Sequence, residues 1–129
     1  VPLPLSPLDA LGFMANLKVR VDLVVTQPPG YAMNRMAEWL PPVCWTLRDR
    51  GHAFVVMPVE LHGSFLEAAA RASAMTWEPL AWRRPDLTTT TQGDYRRDYL
   101  VVFHGRGRAA RPLRLGAKER TSVLPAVPW

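Results

Sequence analysis

The segment Val19-Arg-Val-Asp-Leu-Val-Val-Thr26 runs directly into Gln27-Pro28-Pro29-Gly30, and this junction constrains the chain more than any other feature. Its β-branched residues favour a strand, and the closing apolar run predicts one buried on both faces of a parallel sheet. Two consecutive prolines have no amide hydrogen to give to a ladder, so the strand must stop there. In an open α/β sheet, ligands sit beyond the carboxyl ends of the strands. The loop Thr26–Tyr31 is therefore the first place to look for chemistry.

The remaining sequence alternates helix and strand signals. Asp9 to Leu17 puts Leu11, Met14 and Leu17 on one helical face, with Ser6 or Asp9 as cap. Arg35 to Leu40 fits a helical turn, and Pro41-Pro42 fit the first turn of a further helix. That helix is predicted to run to about Arg50 and end on Gly51 as its C′ residue. His52 to Met57 reads as a second buried strand, and Ser64 to Ala74 as a helix with a Ser cap. Thr76 to Trp82, weakened by Pro79, and Asp98 to His104 supply two more strands around a polar loop at 83–94. The expected fold class is α/β: a mostly parallel sheet with helices on its faces and an antiparallel edge where the last two strands follow one another without a helix. In domain terms, residues 1–8 form a Pro-rich entry, 9–107 one domain, and 108–129 a basic Arg/Pro-rich tail.

Composition narrows the function classes. The chain has 129 residues, 48% of them hydrophobic, enough for one domain with a real core. No stretch approaches the roughly 18 apolar residues of a membrane span. A single cysteine, Cys44, excludes a disulfide framework and reads as a thiol on an apolar helix face. His52, His62 and His104 lack metal-ligand spacing, so no metal is expected. Val1–Pro7 has no positively charged start, unlike a signal peptide, and the expected location is cytoplasmic. The sequence does not open on Met, which fits a segment of something longer.

Charge is uneven. Residues 1–82 carry six Lys/Arg against seven Asp/Glu, whereas residues 83–129 carry ten against four. Of the basic side chains 14 are Arg, whose planar fork suits phosphate and guanine edges. DNA is the partner such a basic third implies, although Arg-rich surfaces also serve solubility alone. Arg106, Arg108, Arg111 and Arg114 are the phosphate candidates, with no acid among them in sequence. Arg96 and Arg97 join them, although Asp94 and Asp98 beside them suit mutual surface pairing equally. Glu60 and His62, just past the second strand, fit either an acid–base role or a polar strand end.

At Gln27-Pro28-Pro29-Gly30-Tyr31, a rigid carbonyl acceptor, a side-chain oxygen and a nearby ring suit a planar group with an exocyclic amine, such as a nucleobase; the same residues also suit a turn that only ends the strand. The order of the surrounding segments carries a resemblance. Leu8-Asp9-Ala10-Leu11-Gly12-Phe13-Met14 precedes Val21–Pro29; then come Arg50-Gly51, His52–Met57, Leu80-Ala81-Trp82-Arg83 and Arg97–Gly107. In this order, from about Asp9 to Gly107, the chain resembles the S-adenosylmethionine-dependent DNA amino-methyltransferases, in the permuted group whose catalytic half comes first.

That resemblance implies a partial Rossmann-like methyltransferase sheet and a role as a DNA adenine-N6 or cytosine-N4 methyltransferase, or the catalytic half of one. The family's Asp/Asn/Ser-Pro-Pro-aromatic loop matches Gln27-Pro28-Pro29-Gly30. It implies that Gln27 and the Pro28 carbonyl accept hydrogen bonds from the target amine, with Pro29 stiffening the loop. A flipped base would stack on an aromatic side chain. Here Gly30 holds that position and Tyr31 follows it, while Gln27 is one methylene longer than the family's residue. Asp9 matches an acid that approaches the adenine of the cofactor. The family's Phe-x-Gly-x-Gly cofactor turn has no counterpart, and Gly105-Arg106-Gly107 reads as a plain turn. S-adenosylmethionine is thus expected only if a further segment, a second polypeptide or another copy completes the fold. The alternative is a catalytically inactive relative, a pseudo-enzyme acting as a DNA-binding or structural module.

Overall fold

A computed structural model of the protein describes residues 19–28, 30–73, 75–84, 99–112 and 123–124. The helix expected at 9–17, most of the polar loop at 83–94 and much of the basic tail lie outside these residues. Strand β1 (Val21–Thr26) leads through a short 3-10 helix (Gly30–Arg35) into α1 (Met36–Thr46) and then β2 (Leu47–Pro58). A single 3-10 turn at Val59–Leu61 opens α2 (His62–Ala72), followed by β3 (Thr76–Arg83) and β4 (Tyr99–Arg106). A two-residue strand, β5 (Val123–Leu124), comes from within the segment read as a tail.

The sheet order is β1-β2-β4-β3-β5. β1 is parallel to β2 and β5 to β3, while β4 is antiparallel to both its neighbours. Four strands therefore share one direction, so the sheet is mostly parallel, and the fold is α/β. Among the described strands the one reversed strand, β4, lies inside the sheet, between β2 and β3, and not on the edge where it was expected.

The pleat sorts side chains to two faces. Val55 and Met57 of β2 and Val101 and Phe103 of β4 point into one core with Met36, Trp39, Leu40 and Val43 of α1 and Phe65 and Ala69 of α2. Phe65 stacks on Phe103 at 4.1 Å between centroids and meets Trp77 edge-on at 5.1 Å. Both described helices thus cover the same face. The other face carries Leu23 and Val25, 58% and 67% exposed, so β1 is an edge strand and not one buried on both sides.

The helix boundaries near Pro41 differ from expectation. One α-helix passes through both prolines and ends at Thr46. Two interior prolines remove the bonds to the carbonyls of Ala37 and Glu38, at a cost of about 3 kcal/mol each in a helix interior. Ala37 and Glu38 are exposed, so water reaches that side of the helix. Met36, Trp39, Leu40 and Val43 are all buried, and four such side chains at roughly 1.5–3 kcal/mol each outweigh the loss. Gly51, expected as a helix C′ residue, lies within β2. Between Val21↔Leu47 and Leu23↔His52 the register takes two steps on β1 against five on β2. Gly51 sits where this bulge folds back on itself: a Cβ there would fall 2.5 Å from Leu47 Cδ1.

Candidate functional site

The carboxyl ends of β1, β2 and β3 bring together the loop after Thr26, the turn after Pro58 and the end of β3 at Arg83. The first of these is the best anchored. Pro28 is buried and Gln27 is exposed, so the backbone is held while the amide side chain reaches solvent. On the other side of the loop, the buried Trp39 Nε1 donates to the Ala32 carbonyl at 2.7 Å, fastening the 3-10 helix to α1. Gly30 opens that 3-10 helix and Tyr31 follows within it. Pro29 and the Tyr31 side chain lie outside the described residues, as do Asp9, Arg96, Arg97 and Arg114.

The other strand ends contribute differently. His62 opens α2 with its ring edge-on to Phe103, 5.2 Å between centroids, which is a packing contact for that imidazole. Glu60 is exposed in the turn beside it. The register continues Pro58↔Leu100↔Trp82 across this end of the sheet. Beyond Trp82 lies Arg84, a buried arginine whose guanidinium carbon is 4.7 Å from the Trp82 ring centroid. Arg84 is absent from the candidates legible in the sequence; its signal there was an arginine shortly after an aromatic strand end.

The basic candidates separate once the strands are paired. Arg106, at the end of β4, donates to Glu78 of β3 at 2.6 Å, so an acid distant in sequence occupies its guanidinium. Arg108 and Arg111 are exposed. Next to Arg106, His52 Nδ1 and His104 Nε2 approach to 2.9 Å and share a hydrogen bond, and His104 also stacks on Phe54 at 4.5 Å. Burial lowers the His104 pKa below the ordinary histidine value; the His52 and Arg106 charges lower it further, and Glu78 opposes them. Cys44 is half-buried, and burial raises its thiol pKa against a weaker opposing hydrogen bond from Ser73. It is a poor nucleophile in that setting.

Gly105-Arg106-Gly107 is not a free turn. Gly105 and Arg106 belong to β4, and the space beside both glycines is filled. A Cβ at Gly105 would strike the Trp77 ring, and one at Gly107 would fall 2.4 Å from the Asp49 carbonyl oxygen. Among the described residues no helix is long and apolar enough to cross a membrane, and no three His, Cys, Asp or Glu side chains gather as a metal site.

No family model and no curated protein matches this sequence. Solved structures do resemble it in fold. The M1.HpyAVI–SAM complex superposes over 92% of this chain with a TM-score of 0.67 at 11% identity. TTHA0409 from Thermus thermophilus, assigned as a DNA modification methylase and complexed with S-adenosyl-L-methionine, superposes over 93% with a TM-score of 0.70 at 15% identity. The chain spans 64% and 65% of those two proteins. These superpositions show that the chain shares the fold of those two proteins over somewhat less than two thirds of their length.

Proposed function

We propose that this chain is the target-base half of an S-adenosylmethionine-dependent DNA amino-methyltransferase, acting on adenine N6 or cytosine N4. The observation that carries this reading is the loop Gln27–Gly30. It stands at the carboxyl end of a parallel strand, pinned by buried Pro28 and by Trp39, in a fold shared with a SAM-bound methylase. Gln27 Oε1 and the Pro28 carbonyl are acceptors that suit the two N–H bonds of an exocyclic amine. Holding both hydrogens fixes the direction of the nitrogen lone pair, which is the positioning such a transfer needs. Pro29 stiffens the loop and Tyr31 supplies the aromatic ring for the base.

S-adenosylmethionine would supply an electrophilic methyl group. The described residues make no cradle for it: the one Gly-x-Gly sequence is filled by Trp77 and by the Asp49 carbonyl. On this reading a further segment, a second polypeptide or another copy of the chain provides the cofactor site, together with Asp9. DNA is the partner, no metal or membrane is involved, and the cytoplasm is the compartment.

A second reading has its own support. Gly30 opens the 3-10 helix at the position where the resemblance asks for an aromatic ring, and base–aromatic stacking contributes about 1–3 kcal/mol. This favours an inactive, pseudo-enzyme relative that binds DNA.

A calorimetric titration with S-adenosylmethionine, followed by methyl transfer to DNA in the presence of the completing partner, separates the two. Binding and transfer support the first reading. The double substitution Gln27→Asp, Gly30→Tyr is expected to raise transfer. A folded double variant with bound cofactor and no transfer overturns the catalytic reading in favour of the binding module.

A further inference from the structure

At the amino-terminal end of the sheet, away from the Gln27 loop, a groove of about 160 Å³ is lined by Arg20, Arg48 and Arg108 and by Trp45, with Cys44 also in its wall. We propose that this groove binds a single-stranded nucleic-acid segment, its phosphates on the arginines and a base stacked on the Trp45 indole. Three observations carry the proposal.

Trp45 is 67% exposed, in the last turn of α1, whereas Trp39 on the same helix is buried in the core. Tryptophan is highly buried on average, and an exposed indole beside guanidinium groups is a sequence-tolerant platform for bases.

Arg108 is held in place. Gly107 N–H donates to the Gly51 carbonyl at 3.0 Å and Ala109 N–H to the Asp49 carbonyl at 2.7 Å, continuing the β2–β4 ladder past its last paired strand residues. Ala110 N–H closes back on the Gly107 carbonyl at 3.1 Å, so Arg108 rides on a tight turn. Because Gly107 lacks a Cβ, the turn can lie against the Asp49 carbonyl.

Continued from His52↔Arg106, the register sets Arg50 opposite Arg108. Like charges opposed across a ladder destabilise it, and among the described residues neither arginine has an acidic partner. The acids that do lie here are committed loosely: Asp49 is 3.9 Å from Arg20, and Asp22 is 3.2 Å from Arg48, both pairs exposed. Exposed pairs of this kind contribute little, so a phosphate can replace them.

The inference rests on the reading of nucleic acid as partner but not on methyl transfer. The test uses the full chain with a fluorescein-labelled twelve-nucleotide oligothymidylate. Binding is expected to weaken about ten- to hundredfold in Trp45→Ala and to lose about 0.7 of a unit of salt slope in Arg108→Gln. Cys44, the only cysteine, should alkylate more slowly when the oligonucleotide is bound. Trp45 is exposed, so its replacement should leave the fold intact, and the circular dichroism spectrum checks this. Equal affinity and salt slope in both variants, or unchanged Cys44 alkylation, would place the strand elsewhere and overturn the groove while leaving the methyltransferase reading untouched. No binding by the unaltered chain also overturns it. Thymine carries no exocyclic amine, so binding of this probe reports on the groove alone, and a failure of methyl transfer to adenine- or cytosine-containing DNA would leave the groove standing.

Discussion

The Trp77 ring lies flat against the backbone of Gly105, its cross-strand partner, so closely that a Cβ on Gly105 would sit 2.5 Å from Trp77 Cζ3. That contact closes the core beneath Phe65 and Phe103. Gly105→Ala is expected to destabilise by about 1–3 kcal/mol, the usual cost of forcing an extra methyl into a packed interior. Chemical denaturation checks it. In a Trp77→Leu background the same change should cost much less, because the ring that it strikes is gone. Among the described residues Trp77 Nε1 is buried without a hydrogen-bond partner, so Trp77→Phe should lose less than a core tryptophan normally does.

The His52–His104 pair makes stability depend on pH. Burial holds the folded-state pKa of His104 below its unfolded value, with the charges of His52 and Arg106 acting in the same direction. A histidine depressed in this way binds its proton more readily in the unfolded chain. Its contribution is therefore complete above the ordinary value near 6.5 and is lost as pH falls through the lower folded value. Denaturation midpoints should decline from pH 7 to pH 5. His104→Gln retains a hydrogen-bonding group beside His52 and removes the titration, so its midpoint should fall less over the same range.

Pro41 and Pro42 test how burial overrides propensity in α1. Neither can donate to the carbonyl one turn back, so Pro41→Ala restores a donor for Ala37 and Pro42→Ala one for Glu38. Each change should raise stability by up to about 3 kcal/mol, read from the denaturation midpoint. A drop would mean that the packing of Trp39 and Leu40 depends on the helix shape the prolines impose.

The same helix shows where the sequence was legible and where it was not. Val21–Thr26, His52–Met57, the helix beginning near Ser64 and the strands around Trp77 and Val101 carry strong local signals, and the chain forms elements at each of these places. The fold class followed from their alternation. Pro41-Pro42 carries a strong local signal too, but it is overruled by four apolar side chains whose burial is a tertiary fact. Gly51 resembles a helix stop because glycine ends helices often; its real role depends on a bulge against β1, a strand distant in sequence. At the candidate site, the strand end and Pro28 could be read directly. The Arg106–Glu78 bond, the histidine pair and the Arg50–Arg108 opposition could not, since each depends on a register between distant strands.

Arg106 and Arg111 should therefore differ in DNA binding although the sequence treats them alike. The Arg106 guanidinium is engaged by Glu78 at 2.6 Å and is only partly exposed, whereas Arg111 is exposed. A phosphate reaching Arg106 would have to displace a short, charge-assisted bond. Arg111→Ala is expected to weaken duplex binding uniformly across sequences and to reduce the salt slope by about one. Arg106→Ala should leave both nearly unchanged and cost stability instead, because it leaves Glu78 beside the histidine pair without its partner. Glu78→Gln completes the comparison: with the competing carboxylate neutralised, Arg106 becomes available and the salt slope should steepen. Titrations at several salt concentrations read all three, and an Arg106→Ala variant that loses as much slope as Arg111→Ala would show that Glu78 yields to phosphate.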